Sequence, residues 1–111
     1  LSAEAQLPAQ AELDPRDAAT IAEGKKQLVG DAINCVQCHQ FHGDGDAVGP
    51  DLTDYGSRAW LTAFVSNPEH ERFYGERNDR MPAFGEKKSL SEKEIGLIAD
   101  WLRGDWYRPT R

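Results

Sequence analysis

A chain of 111 residues with 39% apolar and 29% charged side chains suits a single domain with a modest core, which a bound cofactor would enlarge. Its net charge of −6, from 19 acidic and 13 basic side chains, excludes the basic footprint that nucleic-acid binding requires. No apolar run approaches the length that spans a membrane.

The first 13 residues, "LSAEAQLPAQAEL", show no clear apolar face, so we interpret them as a linker or flexible arm. A first helix is predicted to begin at Asp14, a good N-cap that is followed by Pro15, and to end at Gly30. Gly24 lies inside this helix, where it is either a tolerated surface glycine or the place of a close crossing with another helix.

The middle of the chain is predicted to hold long loops and one short helix. Residues 31–56 are rich in glycine and are interpreted as a loop. "SRAWLTAFVSNP" predicts a short helix with Ser57 as its N-cap and Pro68 beyond its end. The irregular stretch 68–88 follows, and a loop of this length in a small domain is usually functional.

The last helix carries the clearest boundary signals. Ser91 is followed three residues later by Glu94, which predicts a capping box, and Gly104 is a natural C-terminal stop. The predicted apolar face comprises Ile95, Ile98, Ala99 and Leu102, widened by Leu97 and Trp101. No strand pattern or repeat is found, so the sequence predicts an all-α domain.

Both cysteines of the chain lie in "CVQCH", in which Cys35 and Cys38 are followed directly by His39. Zinc would need a second pair of ligands, which His42 and His70 could supply only in an unusual arrangement. A redox dithiol would need a strand-then-helix setting, and a plain disulfide leaves the histidine unexplained. The spacing favours covalent c-type haem, because each thiol adds to one vinyl group and the next residue then lies under the iron.

The motifs occur in an order that resembles the class I c-type cytochromes. The helix from Ile21 to Leu28 precedes the C-x-x-C-H motif, and Gly49-Pro50-Asp51-Leu52, Met81-Pro82 and the helix from Glu92 to Arg103 follow it. The resemblance implies a small all-α cytochrome c fold, with crossing N- and C-terminal helices, a short middle helix and long loops around one haem. We expect an arm at 1–13, the domain at 14–104 and a tail at 105–111.

The resemblance also implies the roles of individual residues. The carbonyl of Pro50 would accept a hydrogen bond from His39, and Met81, the single methionine, would be the sixth ligand of the iron, with His70 as its competitor. His42 is too near His39 to reach the opposite haem face and is expected at the surface. The expected cofactor-binding residues are Cys35, Cys38, His39, Pro50, Leu52, Tyr55, Trp60 and Met81, of which His39 and Met81 ligate the metal.

Two ligands would saturate the iron, so the resemblance implies an electron carrier with no catalytic residues rather than an enzyme. The alternative is a haem-based ligand sensor or peroxidase-like domain with an open sixth site.

Haem attachment of this kind implies the periplasm or an equivalent extracytoplasmic compartment. Because the chain begins with Leu and not Met, we expect a processed or excised chain, with a membrane anchor or fused redox subunit removed. The c-domain of a cytochrome b/c-type fusion is one such origin, and a freely diffusing carrier is another.

The acidic charge is concentrated in the first half of the chain. Residues 1–56 hold ten acidic and three basic side chains, whereas the second half is nearly neutral. Most of these charges are expected to be solvated surface, but a one-sided acidic face can also steer a redox partner with a basic surface.

Overall fold

The computed structural model describes residues 1–105, which contain α-helices, two short 3₁₀ turns and no strand. This confirms the predicted all-α class. The chain divides into two compact units, residues 1–55 and 56–111. The helices are α1 (Ser2–Ala5), α2 (Ala18–Val29), α3 (Arg58–Ser66) and α4 (Glu92–Arg103), and the 3₁₀ turns are Cys35–Gln37 and Gly75–Arg77. Among the helices of residues 1–105, none combines the length and apolarity needed to cross a membrane.

In the first unit, α2 begins later than its sequence predicts. The N-cap is Asp17, and the prediction that Asp14 caps this helix is wrong. The reason is a series of turns ahead of α2, in which the amides of Arg16 and Asp17 both donate to the carbonyl of Leu13, at 2.9 and 3.1 Å. Gly30 ends α2 as predicted, in an extended conformation.

The second unit is built on α3 and α4, which contact each other. Ser57 caps α3 as predicted, since its hydroxyl accepts a hydrogen bond from the amide of Trp60 at 3.1 Å. Trp60 and Val65 of α3 are buried, as are Ile95 and Ala99 of α4. A salt bridge between Arg58 and Asp100 links the two helices at the surface, where such pairs contribute little stability.

The predicted bounds of α4 are confirmed, and so is its capping box. The Ser91 hydroxyl accepts from the amide of Glu94, and the Glu94 carboxylate accepts from the amide of Ser91 at 2.7 Å. Gly104 ends the helix in the left-handed conformation, with φ 73°. The predicted apolar face is only partly buried, because Leu97, Trp101 and Leu102 are each more than half exposed.

The boundaries of arm, domain and tail stay predictions. Residues 1–13 hold α1, in which Ala5 is buried. Residues 106–111 of the predicted tail lie outside the described residues. The predicted crossing of the first and last helices would join two separately described units, and it also stays a prediction.

The capping box gives a test of the stability of the second unit. Ser91→Ala removes the hydroxyl that satisfies the Glu94 amide, so we expect it to lower the free energy of unfolding of the haem-loaded protein by about 1 kcal/mol. Denaturant unfolding measures this loss. Ser89→Ala, an exposed serine two residues earlier, is the matched control and should change stability far less. Equal losses in both variants would show that the cap is not what stabilises the start of α4.

Candidate haem site

The two thiols and the imidazole of the C-x-x-C-H motif are placed by a single tight turn. Cys35 opens the 3₁₀ turn, and its carbonyl accepts hydrogen bonds from the amides of Cys38 and His39, at 3.2 and 3.0 Å. Both cysteines are free thiols, with Cys35 half-buried and Cys38 exposed. The turn therefore presents all three groups from one short piece of backbone.

The ring of His39 is fixed by one strong hydrogen bond. Its Nδ1 lies 2.6 Å from the carbonyl oxygen of Pro50. A carbonyl oxygen can only accept, so Nδ1 carries the proton and Nε2 is the nitrogen with a free lone pair. The bond also orients the ring, as carbonyl partners do for histidines that bind metals.

Gly49 allows the Pro50 carbonyl to come this close to the ring. A Cβ on Gly49 would lie 2.6 Å from Cε1 of His39 and 2.9 Å from its Nδ1, distances that a side chain cannot occupy. The backbone of Gly49 must therefore lie directly against the imidazole. From the sequence, Gly49 was noted only as the first residue of the G-P-x-L motif, and its contact with the imidazole was not predicted.

The segment 41–54, here called the haem loop, is held against the motif by backbone hydrogen bonds. The amide of Asp46 donates to the carbonyl of Val36, and the amide of Leu52 donates to the backbone carbonyl of Gln40, both at 2.9 Å. Leu52 is buried, and its carbonyl accepts from the amide of Tyr55, whose side chain is exposed. The structure thus brings Pro50 to His39, and it leaves Leu52 farther along the same loop and Tyr55 directly after its end.

The other expected site residues belong to the second unit. Trp60 is buried in an aromatic cluster, stacked on Phe64 at 5.2 Å and edge-on to Phe73 at 5.1 Å between ring centroids. Met81 is half-buried, and its backbone carbonyl accepts a hydrogen bond from Nδ2 of Asn78 at 2.8 Å. The functional roles of Trp60, Met81, Leu52 and Tyr55 stay predictions.

The remaining two histidines make other contacts. His42 is exposed, in line with its expected surface position, and its ring contacts Glu4 at 2.9 Å. His70 is exposed, and its Nδ1 accepts a hydrogen bond from the amide of Arg72 at 3.1 Å. Within residues 1–105, no group of three or more His, Cys, Asp or Glu side chains is arranged to hold a metal ion.

Two polar residues that contact segments carrying predicted site residues, one in each unit, were missed from the sequence. Glu4 contacts both His42 and the amide of Asp54, across 38 and 50 residues of chain. Asn78 lies three residues before Met81 and holds its carbonyl. Nothing in the pattern around Glu4 signals its role, whereas Asn78 could have been noticed as an amide side chain close to the only methionine.

The donor set fits a covalent c-type haem. Two thiols on one turn suit thioether attachment, and a proton on Nδ1 leaves Nε2 of His39 for the iron. When bound, the haem supplies an iron that gains and loses one electron. The chain supplies attachment through Cys35 and Cys38 and a fixed imidazole.

Covalent attachment can be tested by mass. Under denaturing conditions the intact protein should weigh the polypeptide plus one haem, because thioether bonds survive unfolding. The double variant Cys35→Ala, Cys38→Ala should lose the covalent haem and fold poorly, because the cofactor supplies part of the core of a chain this short. Intact mass and far-UV circular dichroism measure the two effects. Apoprotein with two free thiols, or with one zinc ion, would contradict the assignment.

Comparison with protein families agrees with the geometry. The family model described as "Cytochrome c" matches residues 21–106, which include the C-x-x-C-H turn, the haem loop and the methionine segment. Comparison with curated proteins and with solved structures finds no significant match. The match covers most of the chain and agrees with the all-α class and the fixed histidine. The chain belongs to the cytochrome c family, binds haem c covalently and serves haem-based electron transfer.

Proposed function

We propose that the chain carries single electrons on a haem iron held between His39 and Met81, cycling between Fe(II) and Fe(III). Family membership gives haem-based electron transfer, and the ligand pair is the proposed refinement. The observation that carries it is the anchoring of Met81. Nδ2 of Asn78 donates to the Met81 carbonyl at 2.8 Å, which restrains the backbone of the only methionine in the chain.

His70 is the weaker candidate for the sixth position. It is exposed, and its Nδ1 already accepts a hydrogen bond from the backbone amide of Arg72. Met81 is less exposed than His70, and a thioether is a usual partner of histidine in cytochromes c. A soft thioether favours Fe(II) and raises the reduction potential, which suits a carrier that accepts electrons readily.

Two ligands from the protein leave no coordination position for a substrate, so the proposed chemistry is outer-sphere electron transfer. We propose that it takes place in the periplasm or an equivalent extracytoplasmic compartment, where haem is attached to C-x-x-C-H motifs. The proposed setting is a respiratory or other membrane redox complex, of which this chain is a domain. In that setting a fused subunit or an anchor would provide the contact with the membrane.

The proposed partner has a basic surface. Asp44 and Asp46 are exposed on the haem loop, and the amide of Asp46 donates to the carbonyl of Val36, inside the C-x-x-C-H motif. Two exposed carboxylates on the loop that is bonded to the C-x-x-C-H motif give this part of the first unit negative charge. Such a charge attracts a cationic partner over roughly a Debye length.

Substitution of the methionine tests the sixth ligand. The ferric protein should be low-spin and should show the weak near-infrared charge-transfer band of sulfur bound to haem iron. Met81→Ala should abolish that band, open the position to added imidazole and lower the reduction potential, because a ligand that favours Fe(II) is lost. Each tenfold loss of preference for Fe(II) corresponds to about 59 mV in a one-electron couple, which redox titration resolves.

The matched control is His70→Ala, which should leave the band, the spin state and the potential unchanged. A disturbed spectrum in His70→Ala, with Met81→Ala silent, would indicate bis-histidine ligation. A wild-type protein that is high-spin and binds carbon monoxide readily would instead indicate a sensor or peroxidase-like domain.

Ionic strength tests the acidic surface. Oxidation and reduction by a small cationic complex, hexaammineruthenium, should slow severalfold as the Debye length falls from about 30 Å at 0.01 M to about 8 Å at 0.15 M salt. Stopped-flow kinetics with this chain free in solution measures the rate. Asp44→Asn with Asp46→Asn should remove much of the salt dependence.

Glu12→Gln with Glu23→Gln is the control pair, since it changes the net charge equally on exposed residues before the haem motif. An equal effect of both pairs would mean that net charge, and not a local surface, attracts the cation. A rate that does not respond to salt would reject the acidic docking surface.

A further inference from the structure

We propose that Glu4 is a positioning residue of the haem site, whose carboxylate closes the base of the haem loop and thereby holds the Pro50 carbonyl on His39. The segment before α2, interpreted from sequence as an arm, would then take part in setting the reduction potential. The inference rests on the proposed function only in that His39 ligates the iron, and it does not require Met81.

The carboxylate of Glu4 contacts both ends of the haem loop. Its Oε1 lies 2.9 Å from Nε2 of His42, at the start of the loop, and its Oε2 accepts a hydrogen bond from the amide of Asp54 at 2.8 Å, at the end. The two ends also contact each other, since the amide of His42 donates to Oγ1 of Thr53 at 2.8 Å. One side chain therefore bridges two residues that lie twelve positions apart in the sequence.

Backbone strain at the same two residues is an independent observation. His42 has φ 49° and Asp54 has φ 57°, so both non-glycine residues lie in the left-handed region. Each such residue costs about 1 kcal/mol or more, and the conformation persists only where the surroundings impose it. Both residues are partners of the Glu4 carboxylate. We infer that Glu4 helps to impose these two strained conformations, one near the start of the haem loop and the other at its end.

Glu4 is itself held in place by its neighbours in the first unit. Its side chain is only 20% exposed, and the adjacent Ala5 is buried. Burial raises the pKa of the carboxyl, but the hydrogen bonds from His42 and from the Asp54 amide outweigh it, so the pKa is lowered. Other charged groups also face this carboxylate or its surroundings: the amino group of Leu1 and, around a cavity of about 320 Å³, Asp14, Asp17 and Lys25.

The loop base matters for the iron because the loop carries Pro50. The 2.6 Å bond from Nδ1 of His39 makes the imidazole a stronger electron donor to iron, which favours Fe(III) and lowers the potential. Backbone bonds at Gly49 and Leu52 hold the middle of the loop. Without Glu4 the ends would relax toward unstrained dihedral angles, the bond from His39 to Pro50 would lengthen on average, and the potential would rise.

The test compares two substitutions that remove the same charge. Glu4→Ala removes both contacts, whereas Glu4→Gln keeps an oxygen that can accept from the Asp54 amide. We expect Glu4→Ala to increase the preference of the iron for Fe(II) at least threefold. This corresponds to a rise in reduction potential of about 28 mV, at 59 mV per tenfold change. Glu4→Gln should shift it less. Glu12→Gln, an exposed acid in the same segment, is the control for net charge and should leave the potential nearly unchanged.

Hydrogen exchange gives a readout that does not depend on the iron. The Asp54 amide should lose protection in Glu4→Ala and keep much of it in Glu4→Gln, because only the second variant retains an acceptor. The stability that Glu4 adds should be fully present above pH 4.5 and fall away as the pH drops through its lowered pKa. Unfolding free energies of wild type and Glu4→Ala should therefore converge in acid.

The outcomes separate this inference from the proposed function. Equal shifts of potential in Glu4→Ala, Glu4→Gln and Glu12→Gln would show that only charge matters and would overturn the positioning role. Unchanged exchange at Asp54 in Glu4→Ala would do the same. If Met81→Ala leaves the near-infrared spectrum unchanged while Glu4→Ala shifts the potential and the exchange, the sixth-ligand assignment fails and the role of Glu4 stands.

Discussion

The hydrogen bond from Nδ1 of His39 to the carbonyl of Pro50 is the constraint on which the rest of the first unit depends. It selects the tautomer that leaves Nε2 for iron, and it requires a chain segment to return to the motif eleven residues later. That return requires glycine at position 49, where a Cβ would meet the ring. It also requires the loop to be closed at its base, where two residues adopt left-handed conformations and Glu4 contacts both.

Both units leave some large apolar side chains exposed. On α4, Leu97, Trp101 and Leu102 are more than half exposed, and in the first unit Ile33 is 61% exposed. A chain of 111 residues builds only a modest core of its own. Haem adds a large, flat apolar surface, so in this family the cofactor acts as part of the core as well as the redox centre.

Sequence reasoning succeeded where the deciding interaction is local. Ser57, Ser91 and Gly104 mark helix ends through contacts within one turn, and all three are where the sequence predicts them. It was wrong at Asp14, because turns around Leu13 delay the start of the helix to Asp17, whose side chain makes no capping hydrogen bond. Glu4 could not be predicted, because its partners are 38 and 50 residues away and an acid in an Ala-rich segment carries no such signal.

The same distinction between local and distant contacts bears on the two proposed iron ligands. His39 directly follows the cysteines that attach the haem. Its ring is fixed by a loop that several backbone hydrogen bonds hold in place. Met81 has a flexible side chain, and the contact that fixes its backbone comes from Asn78, three residues away. A ligand whose backbone is restrained by a local contact is lost at a lower free-energy cost than one whose ring is held by a closed loop. In the proposed ligation, the methionine side is therefore where the coordination of the iron can change, while the histidine side stays constant.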